Sequence, residues 1–387
     1  MKGLKIYILL YTLVSLSSIE AQSNSGIKVG AEQFEKYLPL LKDKQVALVV
    51  NPTSLVDSTH LVDVLLSQNI DIKTIFAPEH GFRGDADAGE AVHDGKDPKT
   101  GLPIISLYGN NKKPSSAQLK EIDIVVFDIQ DVGVRFYTYI STMHYVMEAC
   151  AQNKIPLLIL DRPNPNGHYI DGPILEKEFT SFVGMHPIPI VHGLTVGELA
   201  QMINGERWLK NRSQCMLTVI PVEGWNHNMP YSLPVKPSPN LPNDEAINLY
   251  PSLCFFEATE ISVGRGTYTP FQVIGSPLSK GPYAFTPTSI EGMAKHPKHE
   301  NEPCFGYDLR ETPRKNAIDL SYLIKLYQEY PNQSTFFMNS NFFNLLAGNA
   351  SLQEQIKAGL SENEIRESWK EDLTNYKKMR LKYLIYP

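Results

Sequence analysis

Residues 122–139 read IDIVVFDIQDVGVRFYTY, a continuous apolar run followed by a loop crowded with carboxylate, arginine and aromatic side chains. A run without polar alternation suits a strand covered on both faces, because each face must then meet a packed layer rather than water. After the loop, residues 139–150 take up helical spacing. The same order of strand, loop and helix recurs outward in both directions. QVALVV at 45–50, IKTIFA at 72–77, residues 104–107, PLLIL at 156–160 and residues 216–220 read as further strands, and STHLVDVLLS at 58–67 as a helix. Thr195 and Glu198 form a T-x-x-E capping box that opens another helix, with Leu199, Met202 and Ile203 on one side. Strands alternating with helices predict an α/β protein with a mostly parallel sheet. Residues 225–243 are rich in Pro and Asn but also carry Tyr231 and Leu233, which predicts an ordered loop. A smaller C-terminal α+β domain is expected over 276–387, with 317–329 as its clearest helix, leaving 22–275 as the larger domain.

The chain has 387 residues, 36 Lys plus Arg against 42 Asp plus Glu, and a net charge of -6. With 42% hydrophobic and 20% charged residues there is ample side chain for a core, and the composition excludes a disordered chain. No basic run provides the electrostatic footprint of a nucleic-acid binder, so nucleic acid is dropped as a partner. The 19 Tyr, 16 Phe and 28 Pro suit a cleft for sugar or peptide, and equally a loop-rich enzyme. At the N-terminus, Lys2 and Lys5 precede an apolar run at 6–16, and Ile19-Glu20-Ala21 precedes Gln22. This pattern predicts a signal peptide over 1–21, cleaved near Ala21, and export to the periplasm or beyond. The run is too short for a lasting membrane span, and no later segment is long enough, so no integral span is expected. Of the cysteines Cys150, Cys215, Cys254 and Cys304, none has metal-type spacing; export would permit three full disulfide pairings, although Cys150 reads as a buried free thiol.

In an open α/β sheet, ligands bind beyond the carboxyl ends of the strands. The segments there are PEHGFRG at 78–84, QDVGVRFY at 130–137 and DRPNPNG at 161–167. Each brings a carboxylate with an arginine close behind. Carboxylates, arginines, asparagines and aromatics together suit a glycoside, whose hydrolysis uses one acid on the leaving oxygen and a second carboxylate on water or the anomeric carbon. Glu79, beside apolar Pro78 and Phe82, is the preferred acid, with pairing to Arg83 or capping of the next helix as its structural alternative. Asp131 is the preferred second carboxylate and Asp128 the next. A metal site at His80, Asp85, Asp87 and His93 lacks any HxH or HExxH spacing. Gly264-Arg265-Gly266 is too weak for a nucleotide loop, and no GxSxG elbow occurs. Neither metal nor cofactor is expected.

The same segments, with GLTVGELA at 193–200, PSPNLP at 237–242, SVGRGTYTPF at 262–271 and the closing KYLIY at 382–386, resemble the exo-β-N-acetylmuramidase family of the NamZ type. The resemblance runs through almost the whole chain. It implies a Rossmann-like N-terminal domain, a smaller domain closing a catalytic cleft, and release of N-acetylmuramic acid from the non-reducing end of peptidoglycan-derived glycans. Glu79 matches the glutamate regarded as catalytic in such proteins. The family's FEGTN pattern is Phe256-Glu257-Ala258-Thr259-Glu260 here, so a carboxylate replaces Asn near Arg265. The expected substrate shell is His80, Arg83, Arg135, Tyr137, Arg162, Asn164, Asn240, Glu257 and Arg265. One of Arg83, Arg135, Arg162 and Arg265 is expected to clamp the lactyl carboxylate that distinguishes muramic acid from N-acetylglucosamine. The competing function is a non-catalytic cell-wall glycan-binding protein on the same scaffold; an amidase or esterase would need a nucleophile or metal that the sequence does not offer.

Overall fold

The computed structural model describes residues 26–83 and 94–387. The signal-peptide reading, and Asp85, Asp87 and His93, lie outside the described residues.

The first part of the chain contains β1 (Gln45–Val50), a short hairpin of β2 (Leu55–Val56) and β3 (Thr59–His60), β4 (Asp71–Ala77), β5 (Gly95–Lys96), β6 (Pro103–Ser106), β7 (Ile124–Asp128), β8 (Leu157–Leu160) and β9 (Leu217–Ile220). Its helices are α1 (Phe34–Leu41), α2 (Leu61–Ser67), α3 (Tyr139–Asn153) and α4 (Val196–Gly205). Seven of the strands form one sheet in the order β5-β6-β4-β1-β7-β8-β9. All neighbours are parallel except the short antiparallel edge strand β5. Its parallel strands, numbered along the chain, run third, second, first, fourth, fifth, sixth, which is the doubly wound Rossmann order.

Successive side chains of a strand point to opposite faces, and β1 shows what each face meets. Val46, Leu48 and Val50 enter the cluster that holds Tyr37 and Leu41 of α1 and Leu61 and Leu65 of α2. Ala47 and Val49 enter the cluster that holds Met143 and Met147 of α3 and Leu199 and Ile203 of α4. Both faces being dry along β1, Val46 to Val50 form an unbroken apolar run, whereas Asp71 and Lys73 in the first half of β4 are exposed. The T-x-x-E box at the start of α4 is formed as expected: Thr195 Oγ1 accepts from the Glu198 amide at 3.2 Å, and Glu198 Oε2 accepts from the Thr195 amide at 3.0 Å.

Beyond the Pro/Asn-rich loop come α5 (Asp244–Leu253) and a 3-10 turn, Cys254–Ala258. Then β10 (Val273–Ser276), β11 (Tyr283–Phe285) and β12 (Cys304–Asp308) form an antiparallel sheet in the order β10-β12-β11. The helices α6 (Ser321–Glu329), α7 (Gln333–Phe336), α8 (Ser340–Ala347), α9 (Ser351–Lys357), α10 (Glu362–Glu367) and α11 (Lys370–Arg380) follow. Leu323, Phe336, Phe343 and Tyr376 of this part share a cluster with α3 and α4, so one apolar core runs through both parts. The helix expected over 317–329 begins only at Ser321. All four cysteines are buried free thiols. Among the described residues no helix is long and apolar enough to cross a membrane.

Candidate active site

At the carboxyl ends of β4, β6 and β7 the chain encloses a cavity of about 230 Å³, walled on its far side by residues that come after the Pro/Asn-rich loop. Glu79 reaches it from the turn after β4. Pro78 offers no amide to continue the sheet, and His80 and Gly81 both adopt left-handed backbone, with φ of 72° and 74°. A non-glycine residue in that region costs on the order of 1–3 kcal/mol and persists where its surroundings hold it. Arg83 supplies part of that hold. Its guanidinium bonds both oxygens of Asp97 at 3.0 and 2.9 Å and both oxygens of Asp63 on α2 at 3.2 and 3.3 Å. It also lies 4.5 Å from the centre of the Phe82 ring. The Arg83 guanidinium beside it keeps Asp97 well below the usual carboxylate range.

The Glu79 carboxylate accepts from neutral hydroxyls. Tyr108 Oη donates to Oε1 at 3.1 Å, and Thr138 Oγ1 donates to Oε2 at 3.2 Å. Burial and the neighbouring Glu79 raise the Tyr108 phenol, which therefore stays a donor. The opposite wall carries Glu257, in the 3-10 turn after α5, whose Oε1 pairs with Nε and a terminal nitrogen of Arg265 at 2.6 Å each. Burial works against the charge of Arg265, but Glu257 outweighs it and holds the guanidinium above its ordinary value. Arg265 also lies 5.3 Å from the centre of the Phe271 ring. Beneath the turn, Lys298 donates to the carbonyls of Phe256, Thr259 and Ile261, and burial pushes its ammonium down to about 8.

Between the walls stand aromatic rings. Tyr137 meets Tyr139 and Tyr250 edge to face at 5.0 and 6.0 Å, and Tyr250 meets Phe271 at 5.0 Å. The Tyr137 hydroxyl donates to the Pro237 carbonyl at 2.7 Å, tying the Pro/Asn-rich loop down so that Asn240 enters the cavity wall. Asn240 donates from Nδ2 to the Met293 carbonyl at 2.9 Å, while its Oδ1 is buried without a hydrogen bond from any described residue. A buried acceptor left in this condition costs about 1–3 kcal/mol, which a ligand donor would recover.

Thus Glu79, His80, Tyr137, Asn240, Glu257 and Arg265 line one cavity. The other expected site residues do not line it. Asp128 and Arg162 form a buried pair, with Nε to Oδ1 at 2.6 Å and Nη2 to Oδ2 at 2.9 Å, and Arg162 also donates to the Leu55 carbonyl. Asp128 ends β7, which lies beside β1 where the sheet order reverses. Arg135 is completely enclosed and donates to the carbonyls of Pro173, Ile188, Leu346 and Ala347, latching the loop after β7 to the end of α8. Asp131 is buried behind the cavity wall and accepts from the Gly133 amide at 2.7 Å; burial pushes its carboxyl up to about 7. Asn164 donates to the Leu194 carbonyl and packs against Gly133, where a Cβ would lie 2.2 Å from its Oδ1. Arg83, Arg135 and Arg162 are therefore engaged elsewhere, and of the four arginines considered for the lactyl clamp only Arg265 lines the cavity. Glu260 does not line it; the carboxylate on Arg265 is Glu257. Tyr108 escaped notice in the sequence, although it stands just beyond the end of β6, in the same kind of position that singled out Glu79 beyond β4. Thr138 and Tyr139 stood unremarked within the quoted motif.

Residues 46–245 match the family described as exo-beta-N-acetylmuramidase NamZ, N-terminal, and residues 248–386 its C-terminal counterpart. The peptidoglycan beta-N-acetylmuramidase NamZ of Bacillus subtilis (strain 168) is 41% identical over 379 residues, covering 90% of this chain and 89% of that one. Two crystal structures of DUF1343 family proteins from Bacteroides fragilis NCTC 9343 superpose closely. One has a TM-score of 0.87 at 48% identity over 94% of this chain and 99% of that one. The other has a TM-score of 0.82 at 30% identity over 93% and 99%. A Rossmann-order sheet, a cavity at its carboxyl edge closed by a smaller C-terminal part, and matches through both halves lead to one conclusion: the chain belongs to the NamZ exo-β-N-acetylmuramidase family.

Proposed function

We propose that this protein is an exo-acting glycoside hydrolase that removes N-acetylmuramic acid from the non-reducing end of peptidoglycan-derived glycans, with Glu79 as general acid. The observation that carries this reading is a single cavity with two carboxylates in contrasting company: Glu79 beneath two neutral hydroxyls, Glu257 against an arginine. Glycoside hydrolysis asks for that division between an acid that protonates the leaving oxygen and a carboxylate that acts on water or the anomeric carbon. Asp131 and Asp128 are enclosed, which favours Glu257 as the second carboxylate. The activity named for the Bacillus subtilis relative supports the substrate class. Arg265 is the natural clamp for the lactyl carboxylate, and Asn240 and the tyrosines the natural partners of ring substituents and ring face. The apolar run at 6–16 and its basic start support export after cleavage near Ala21. Sequencing the N-terminus of the protein recovered from its native compartment checks the cleavage.

The direct test offers a muramyl-terminated disaccharide and a matched glucosaminide to the purified protein and monitors the sugars by NMR, which also reports the first-formed anomer. Release of muramic acid alone is the expected result. Saturable binding without turnover would instead favour the glycan-binding alternative.

A further inference from the structure

An exo-acting enzyme must hold not only the terminal sugar but also the part of the glycan that leaves. The general acid identifies where that part lies, because the sugar beyond the scissile bond is on the side from which the leaving oxygen is protonated. Both hydroxyls on Glu79 lead to the same ledge. Thr138 immediately precedes α3, and within its first turn Ser141 Oγ donates to the Phe182 carbonyl at 2.7 Å. Tyr108 begins the loop after β6, and four residues on, the Lys112 ammonium lies over the Phe182 ring, 4.6 Å from its centre.

This ledge is built rather than incidental. Ser181 and Gly184 exchange backbone hydrogen bonds at 2.8 and 3.1 Å, a tight turn whose tip residues Phe182 and Val183 line the cavity. Tyr145 of α3 lies nearly parallel to Phe182, at 13° with centres 6.3 Å apart. Lys112 is presented by anchored neighbours: Asn111 donates to the Ser106 carbonyl at 2.9 Å, and Lys113 pairs with Glu148 of α3 at 2.7 Å.

We propose that Phe182 and Lys112 form the subsite for the leaving glycan, Phe182 packing against the sugar next to the scissile bond and Lys112 pairing with a carboxylate further along the leaving chain. The inference rests on the reading of Glu79 as general acid. A glycan with alternating muramyl residues carries such a carboxylate either on the next lactyl ether or at the end of a peptide attached to it, and an ammonium suits both. Such a subsite would make the enzyme favour a polymer end over a simple glycoside.

The test compares an aryl N-acetylmuramide, a muramyl–glucosaminide disaccharide and tetrasaccharides whose internal lactyl group is free, amidated or extended by a peptide with a free carboxylate. Relative to wild type, Phe182→Ala should lower kcat/KM about tenfold more on the disaccharide than on the aryl glycoside. Lys112→Gln should lower it about two- to fivefold more on the free-acid tetrasaccharide than on the disaccharide, as an exposed ion pair would, and the difference should vanish at high salt. Restriction of the Lys112 effect to the free lactyl form identifies the ether carboxylate, and restriction to the peptide form identifies the stem. Equal losses on every substrate, or none on the longer ones, overturns the subsite while leaving the hydrolase reading intact. A wild type that releases no muramic acid from any of them removes the hydrolase reading itself.

Discussion

The loop after β4 and the loops after β7 and β8 begin alike, each with acidic and basic residues a few positions beyond an apolar strand, and end in opposite conditions. After β4, Arg83 is drawn sideways to Asp63 and Asp97, leaving Glu79 facing a cavity with hydroxyl partners. After β7 and β8, Asp128 and Arg162 are buried against each other and Arg135 directs its hydrogen bonds to backbone carbonyls. The difference is what covers each strand end. Asp128 and Arg162 are buried, so their charges must be satisfied within the fold. At Glu79 and Tyr108, beyond β4 and β6, residues that follow the Pro/Asn-rich loop wall a cavity without filling it. Residue type is therefore a poor guide to role at a strand end; available space decides.

This contrast is most exposed to Glu79→Gln, which keeps shape and removes the titrating proton. Turnover of a muramyl disaccharide should fall on the order of 10² to 10⁴, with an unchanged denaturation midpoint. Turnover at the wild-type rate would take Glu79 out of the chemistry. Arg162→Met makes the opposite prediction: it leaves the Asp128 carboxylate buried without its partner and should cost about 3–5 kcal/mol of stability by urea titration. The double variant Asp128→Asn, Arg162→Met should recover part of that loss. If Arg162→Met instead folds normally and loses turnover, the pair belongs to the site and the two kinds of loop no longer differ in role.

Arg265→Ala probes the cavity side. Both substrates should lose the effect of leaving Glu257 without its partner, and the muramide should lose about 2–5 kcal/mol in transition-state binding beyond the glucosaminide for the missing lactyl clamp, measured as kcat/KM on both. A subtler change is expected at Asp131. Its carboxyl is raised from 3.8 to about 7 by burial, so the folded chain keeps a proton that the unfolded chain releases. Its favourable contribution is fully present below pH 3.8 and is lost as pH rises through about 7. Asp131→Asn should therefore flatten the fall in stability across that window. Urea midpoints at several pH values that decline just as steeply in the variant would show that Asp131 is not the group responsible.

Local sequence was a good guide wherever one short stretch carried the whole reason for a structure. The runs at 45–50, 72–77 and 122–128 hold strands because most of their side chains are apolar and enter the layers packed on the two faces of the sheet, and Thr195 starts α4 because its hydroxyl reaches the Glu198 amide. The small C-terminal helices were harder to read. α7 has four residues and α10 six, too few for a period to register, and they are held by packing of Phe336 and Ile365 into the shared core.

Of the candidate site, Glu79 was legible because a carboxylate beyond a buried strand, flanked by Pro78 and Phe82, has few structural reasons to be there. Glu257 was visible as a substrate contact through the family resemblance, but not as the second acid of the cavity, because its place in the same cavity as Glu79 depends on segments distant in the chain meeting beyond the strand ends. The arginines divide in the same way. A doubly wound sheet with charged loops at its carboxyl ends is written into the chain itself, since both features come from the periodicity of short segments. Which charges meet each other and which face open space is settled in three dimensions alone, because burial and pairing depend on residues that are distant in the chain.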